Sequence, residues 1–167
     1  DNIIRDNPDI KNEDIIVEVD GDDWLPDNLV FSRVLDYYAD GNTWITYGQF
    51  KYSTGKEGFA NVVDTQVIRR SIFTASHLRT WKAFLWRNIH QDDLKVNGSY
   101  AETAGDMFFM IPMLEMATNK HAKFVEDVNY IYNEENPLND HKGVRARSQR
   151  ELALVGRSRN SYPPLER

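Results

Sequence analysis

The sequence predicts a single α/β domain, and three observations support this prediction. Segments dense in β-branched and aromatic residues alternate with segments whose apolar residues recur at helical spacing. A chain of 167 residues can bury one sizeable core but is short for two ordinary domains. Hydrophobic residues make up 41% of the chain and aromatic residues 12%, as is typical of a globular protein rather than a disordered one.

The first half of the chain predicts a strand, a helix and a second strand. The β-branched run in EDIIVEV indicates a strand covered on both faces, which ends at the turn Asp20-Gly21. Pro26 favours the first turn of a helix, apolar residues follow at helical spacing, and Gly41 ends it. TWITYGQF is rich in β-forming residues and predicts a strand, whereas KYSTGKEGFAN has the composition of a loop.

The second half predicts three helices and one short strand. The segment TASHLRTWKAFLWRNIH indicates a helix capped at Thr74 or Ser76. AGDMFFMIPMLEMAT predicts another helix, which Pro112 should kink or bound. VNYIYN favours a short strand, EENPLNDHKG a polar turn, and ARSQRELALVGRSRN a closing helix.

The composition of the chain limits which binding partners and which cellular compartment we expect for it. No apolar run approaches a membrane span and the first ten residues lack a signal-peptide pattern, so the expected location is cytoplasmic. Up to His141 the chain has 13 basic against 24 acidic residues, and from Lys142 onward 7 against 2. Two interpretations of this basic tail stay open: a solvated surface, or a contact with an anionic ligand, a partner or a membrane surface.

The acidic turn after the first strand, in VEVDGDDWLPDN, is the strongest chemical signal. Asp20 and Asp22 are two residues apart and can present carboxylates to one side, while Gly21 lets a ligand approach the backbone. Because the chain has no cysteine, a metal here needs oxygen or imidazole ligands, which favours Mg²⁺ or Mn²⁺ carrying phosphates. The alternative is a solvated turn in which Asp23 or Asp27 caps the next helix.

The stretch DGDDWL resembles the DxD segment of glycosyltransferase family 2. SHLRTWKAFLW, AGDMFFMIPMLEMA and YIYNEENPLNDHK follow in the order and at about the spacing of that family, so the resemblance spans about Ile15–Lys142. It implies a Rossmann-like A-type glycosyltransferase fold, with a mixed central sheet flanked by helices. Such enzymes hold the nucleotide with a unit before the DxD segment, so we expect this chain to be truncated at its N-terminus.

The resemblance also implies an organisation of the chain. Residues 1–50 would hold the metal and the end of the nucleotide site, 51–141 the acceptor side, and 142–167 a basic helix or tail. Asp20 and Asp22 would bind the metal and through it the donor diphosphate, with Asp23 in an outer or ribose-side contact. Asp106 would be the catalytic base, with Gly105 in place of the family's usual Glu. The alternative for Asp106 is an acid favoured by the helix dipole alone.

Three further residue roles follow from the resemblance. His141 would be a third metal ligand or a diphosphate contact, and Lys142 beside it would pair with phosphate. His77 and Arg79 would line the donor or the acceptor pocket, or else belong to the cap and surface of a helix.

The expected function is therefore that of a metal-dependent inverting glycosyltransferase of the hexosyltransferase type. Its donor would be a nucleotide-diphosphate sugar, with UDP inferred from family frequency alone. Its acceptor would be a glycan, a lipid-linked sugar or a protein rather than a nucleic acid, and the basic tail fits peripheral membrane contact. Two alternatives stay open: a nucleotidyltransferase that forms a sugar nucleotide, although no glycine-rich phosphate loop is visible, and a non-catalytic fragment that binds nucleotide sugars.

Overall fold

A mixed four-stranded β-sheet lies at the centre of the computed structural model, which describes residues 2–136 and 145–167. In chain order the helices and strands are α1 (Asn2–Arg5), β1 (Ile15–Glu18), α2 (Val30–Tyr38), β2 (Ile45–Gly48), β3 (Lys51–Tyr52), β4 (Arg79–Lys82), α3 (Ala83–Arg87), β5 (Lys95–Val96), β6 (Ser99–Tyr100), α4 (Gly105–His121), β7 (Ala122–Val125), β8 (Ile131–Tyr132) and α5 (Arg145–Ser158). The order across the sheet is β1-β4-β2-β7. Strand β4 is antiparallel to both neighbours, and β7 is parallel to β2. The predicted α/β class is confirmed at this level.

The two faces of the sheet pack against different helices. Ile45 and Trp81 belong to a core built around α4, whose buried residues include all four methionines of the chain. Thr46 and Thr80 point the other way, because successive strand residues alternate faces, and Thr80 shares a hydrogen bond of 2.8 Å with the Tyr38 hydroxyl of α2. Helix α4 is apolar all round because it is buried between the sheet and α5.

Strand β1 differs in position from the sequence prediction. Its two faces do contact the core, since Ile16 packs against the α4 side and Ile15 and Val17 against the α2 side. All of its residues are nevertheless only half-buried, because β1 ends the order of strands within the described residues and pairs with β4 alone. Its carboxyl end, where Asp20 follows, is therefore open to solvent.

The predicted helix from Thr74 to residue 90 is wrong in its first half. Residues 79–82 form the antiparallel strand β4 between β1 and β2, and only the five residues of α3 are α-helical. The β-forming residues Thr80 and Trp81 satisfy their backbone groups by strand pairing, which sequence spacing alone does not reveal. Helix α4 is correct and continues through Pro112, with irregular backbone at Thr118 instead.

No helix within residues 2–136 and 145–167 is long and apolar enough to cross a membrane. The predicted short strand in VNYIYN is β8, and the predicted closing helix is α5. Gly156 brings α5 close to α4, since a Cβ atom at this position would lie 3.3 Å from that of Met107.

Candidate active site

A cleft of about 850 Å³ opens at the carboxyl end of β1. This volume is in the range of small-molecule binding sites. The side chains that line it on its acidic side are Glu18, Asp20, Asp22, Asp23, Arg79, Asp106, Glu134 and Asn136. The remaining wall is mainly aromatic and includes His77, Phe50, Tyr52, Phe59, Phe73, Phe109 and Tyr132.

The acidic turn is held in shape by the segment around β8. Trp24 and Ile131 exchange backbone hydrogen bonds of 3.2 and 2.9 Å, which joins the turn to that segment. The buried Tyr130 hydroxyl donates to Asp23 Oδ2 at 2.7 Å and accepts the Asp20 amide at 3.1 Å. The Asn133 amide donates to the other oxygen of Asp23 at 2.7 Å. Asp23 is therefore an anchor of the turn.

Asp20 and Asp22 are the more accessible carboxylates of the turn. Both side chains are exposed and line the cleft, and the Asn136 amide group donates to Asp22 Oδ2. Although residue 20 is open to solvent, the cleft partly desolvates its carboxyl, and this desolvation, with the charges of Asp23 and Asp22, raises the pKa of Asp20 against the opposing effect of Arg79. A carboxylate cluster of this kind is relieved by protonation or by a cation.

Arg79 joins Glu18 to Asp106. Its buried guanidinium donates to Glu18 Oε2 at 3.2 Å and to Asp106 Oδ2 at 2.9 Å. Burial disfavours the charge of Arg79, but Asp106 and Glu18 outweigh burial and raise its pKa. Burial also disfavours the charge of Glu18, and this raises the pKa of Glu18 despite the opposing effect of Arg79. A planar guanidinium suits this bridging position because it can serve two carboxylates at once.

Asp106 lies in the first turn of α4 and accepts a hydrogen bond from one terminal nitrogen of Arg79, while Glu18 accepts from the other. The residue that precedes the helix, Ala104, adopts a left-handed conformation with φ 53°, so the helix starts abruptly at the cleft wall. The Asp106 side chain is 28% exposed and lines the cleft. Each carboxylate oxygen has two lone pairs, so Asp106 can accept a further hydrogen bond besides those from Arg79 and the Met107 amide.

His77 is a neutral, buried side chain in the wall of the cleft. Its ring stacks on Tyr130 with the ring centroids 4.3 Å apart, and burial together with Arg79 lowers its pKa well below the usual value. Its Nδ1 atom has no hydrogen-bond partner in the described part of the chain. An unpartnered buried nitrogen is costly unless a ligand or water satisfies it.

Asp20 and Asp22 are the two carboxylates of the acidic turn that are accessible to a hard divalent cation. Within residues 2–136 and 145–167 no group of three His, Asp or Glu side chains is arranged to hold a metal. Two carboxylates are nevertheless enough for Mg²⁺ or Mn²⁺ when phosphate oxygens and water complete the shell. Among the described residues that line this cleft, six carboxylates accompany one guanidinium, and that charge imbalance favours a cation.

The cleft brings together most of the residues that the sequence singled out. Asp20, Asp22, Asp23, His77, Arg79 and Asp106 all line it. Arg79 and His77 belong to a buried strand and its approach, so their alternative as cap and surface residues of a helix is wrong. The predicted ligands His141 and Lys142 lie outside the described residues.

Several residues of the site escaped the sequence analysis. Glu18 precedes Asp20 by two residues, so strand periodicity could have placed both on one side. Tyr130, Asn133 and Asn136 had no local signal, because their contacts with the turn span 107 to 114 residues. The aromatic residues of the far wall come from β3, β8, α4 and the connecting segments, so no local sequence signal groups them either.

The comparisons with known proteins give no family for this chain. No protein-family model matches it, and no curated protein is significantly similar to it.

Proposed function

We propose that this chain is a metal-dependent, inverting glycosyltransferase with the A-type glycosyltransferase fold. It moves a hexosyl group from a nucleotide-diphosphate donor to an acceptor hydroxyl. One observation carries the proposal: a single cleft has two accessible carboxylates, Asp20 and Asp22, together with a third, Asp106, that is held by Arg79. A displacement at an anomeric carbon requires carboxylates for a cation that receives the leaving diphosphate and a further carboxylate that serves as the base.

The residues divide the reaction between them. Asp106 accepts the proton of the acceptor hydroxyl, whose oxygen forms the new bond to the anomeric carbon. The bond from that carbon to the diphosphate oxygen breaks on the opposite side, and the nucleoside diphosphate leaves with the electron pair. Arg79 keeps Asp106 oriented through the hydrogen bond of 2.9 Å.

Asp20 and Asp22 are the residues that would hold a divalent cation. Held there, Mg²⁺ or Mn²⁺ would supply the Lewis-acid charge that offsets the negative charge growing on the leaving diphosphate. Asp23 keeps both carboxylates in place, because the Tyr130 hydroxyl and the Asn133 amide fix the turn that carries them. The mixed α/β sheet with a DxD turn after an edge strand supports the family resemblance.

The test is Mn²⁺-dependent turnover of nucleotide sugars, with calorimetry of UDP and Mn²⁺ beside it. Asp22→Ala should lose both turnover and Mn²⁺-dependent nucleotide binding. Asp106→Asn should keep nucleotide binding and lose turnover by about 10²–10⁴-fold, the usual contribution of a general base. Asp27→Ala is the matched control, because Asp27 is exposed and pairs with Arg33 away from the cleft. Full turnover in Asp22→Ala rejects the proposal.

A second candidate is a protein that binds nucleotide sugars without turning them over. The observation that favours it is the ion pair itself, since Arg79 and the Met107 amide each occupy one oxygen of Asp106. It predicts Mn²⁺-dependent nucleotide binding that Asp22→Ala abolishes, with no release of sugar or nucleoside diphosphate from any donor. Release of pyrophosphate from a nucleoside triphosphate would instead indicate a nucleotidyltransferase.

A further inference from the structure

A second, smaller pocket adjoins the cleft on the Asp106 side. It has a volume of about 160 Å³, and we name it the Trp86 pocket. Its lining residues are Trp86, Leu94, Tyr100, Ala101, Gly105, Phe108 and Phe109. Gly105 and Phe109 also line the large cleft, so the two spaces share one wall next to Asp106.

The lining of the Trp86 pocket is apolar. Among the side chains that line it, only the indole of Trp86 and the hydroxyl of Tyr100 have polar atoms, and that hydroxyl accepts a hydrogen bond from Gln91 at 3.3 Å. Leu94 and Phe108 are buried in the main core, so their positions are fixed by packing. An apolar cavity of about 150 Å³ takes up a ligand of benzene size. The pocket therefore has room for about six carbon atoms.

Local sequence builds the outer wall of the pocket. Asn97 and Gly98 have φ values of 52° and 83°, the conformation that a tight hairpin turn needs, and they connect β5 to β6. The hairpin places Tyr100 at the rim, where the side chain is 47% exposed. The Phe109 ring packs against the rings of Trp81 and Trp86, with centroids 5.6 and 5.4 Å away, and these contacts fix its position.

We propose that the Trp86 pocket binds an alkyl chain carried by the acceptor. This inference rests on the proposed function for the identity of the ligand as the acceptor, because the pocket opens beside the residue that takes the acceptor proton. The wall that the pocket shares with the cleft, Gly105 and Phe109, flanks Asp106 in the chain, whereas Asp20 and Asp22 line the cleft and not the pocket. The acceptor is thus an amphipathic molecule, a sugar or alcohol attached to an alkyl chain.

The chain-length dependence of binding tests the proposal. Methyl, butyl and hexyl β-D-glucosides are titrated into the protein, without metal or nucleotide, and amide chemical shifts are followed by NMR. Each methylene that enters the pocket should tighten binding about three- to fourfold, so hexyl should bind roughly tenfold more tightly than butyl. Shifts should be confined to residues 86–109. Equal binding of all three glucosides, or shifts at another surface, overturns the proposal.

Two variants make the test specific to this pocket. Ala101→Trp fills the pocket and should weaken hexyl glucoside binding at least tenfold, whereas Ala39→Trp at the exposed end of α2 should bind like the parent. If Ala101→Trp does not fold, Tyr100→Ala removes the rim and should also flatten the chain-length dependence. Unchanged binding in the folded variants rejects the pocket as the site.

The design separates this inference from the proposed function. Asp22→Ala should bind hexyl glucoside like the parent, because the pocket does not use the acidic turn. Chain-length-dependent binding without any Mn²⁺-dependent nucleotide binding would overturn the function and the acceptor role, while leaving a site for alkyl chains. Nucleotide binding and turnover without chain-length dependence would overturn the alkyl-chain pocket alone.

Discussion

Among the described residues that line the cleft, Arg79 is the only one with a positive charge, because His77 is held neutral. It balances Glu18 and Asp106 from a buried position on β4. Removing one partner of a buried ion pair leaves an uncompensated charge. The stability of the site and the orientation of Asp106 therefore depend on the same side chain.

Arg79→Met is expected to lower the free energy of unfolding by about 3–5 kcal/mol, the usual cost of breaking a buried pair. Urea denaturation followed by circular dichroism measures it. Arg147→Met is the control, because the Arg147–Glu151 pair is largely exposed and should contribute under about 1 kcal/mol. A similar small loss in Arg79→Met would contradict the assigned role.

Asp20 gives a prediction about pH. Burial and the neighbouring carboxylates raise its pKa, so the folded state holds its proton more tightly than the unfolded state. A group of this kind adds stability at low pH, and that stability is lost as the pH rises from the ordinary aspartate value through the raised one. Above this window the ionised Asp20 destabilises the metal-free protein.

Asp20→Asn should therefore raise the melting temperature in metal-free buffer near neutral pH by about 1–2 °C, since solvent screens an exposed carboxylate. The gain should vanish at about pH 3.5, where the parent carboxyl is protonated. Calorimetric melting curves in chelator test this. Added Mn²⁺ should stabilise the parent and not the variant, and a variant less stable than the parent at neutral pH would contradict the prediction.

At the scale of elements, the segment around β8 determines the shape of the acidic turn. Tyr130 is fully buried and links the Asp20 amide to the Asp23 carboxylate, and the Trp24–Ile131 bridge fixes the same segment alongside. Outer contacts of this kind orient the ligands of a metal site. The turn thus owes its geometry to residues far away in the sequence.

Tyr130→Phe should weaken Mn²⁺-dependent UDP binding about tenfold or more, the range seen when an outer contact of a metal site is lost. Calorimetry provides a measurement that does not depend on turnover. Tyr47→Phe is the matched control, because its buried hydroxyl also accepts a backbone amide, that of Val63 at 3.0 Å, but does not line the cleft. Equal losses in both variants would indicate a general effect of destabilisation.

The elements also show what local sequence can predict. Strands β1 and β2 and helices α2, α4 and α5 could be predicted, because their residues combine a clear period with turn residues at the ends. Strand β4 could not, since Leu78, Trp81 and Leu85 also fit a helical period. The segment forms a strand rather than a helix because its backbone groups pair with β1 on one side and with β2 on the other.

At the scale of the whole molecule, Arg69 connects three distant parts of the chain. It makes two hydrogen bonds to Glu115 of α4, at 2.6 and 2.7 Å, and donates to the carbonyls of Gly156 and Asn160. Glu115 in turn accepts the amide of Tyr162 at 3.0 Å. The end of α5 and the segment after it are thereby attached to the core.

Arg69→Met should destabilise the protein by about 3–5 kcal/mol, because the buried Glu115 carboxylate loses the positive charge that compensates it. Hydrogen exchange should show the first loss of protection at residues 156–162. The exposed neighbour gives the control, since Arg70→Met should change stability by less than about 0.5 kcal/mol. Intact protection at residues 156–162 in Arg69→Met would contradict the attachment.

The sequence by itself determined the α/β class, the acidic turn and the helix that carries Asp106, because these depend on periodicity and on residues adjacent in the chain. Only the tertiary structure decided that Arg79 pairs with both Glu18 and Asp106 and that Tyr130 holds the acidic turn. It also decided that an apolar pocket adjoins Asp106. The physical reason is that charge pairing, buried hydrogen bonds and pocket walls depend on distance in space, which hydrophobic period and turn composition do not encode.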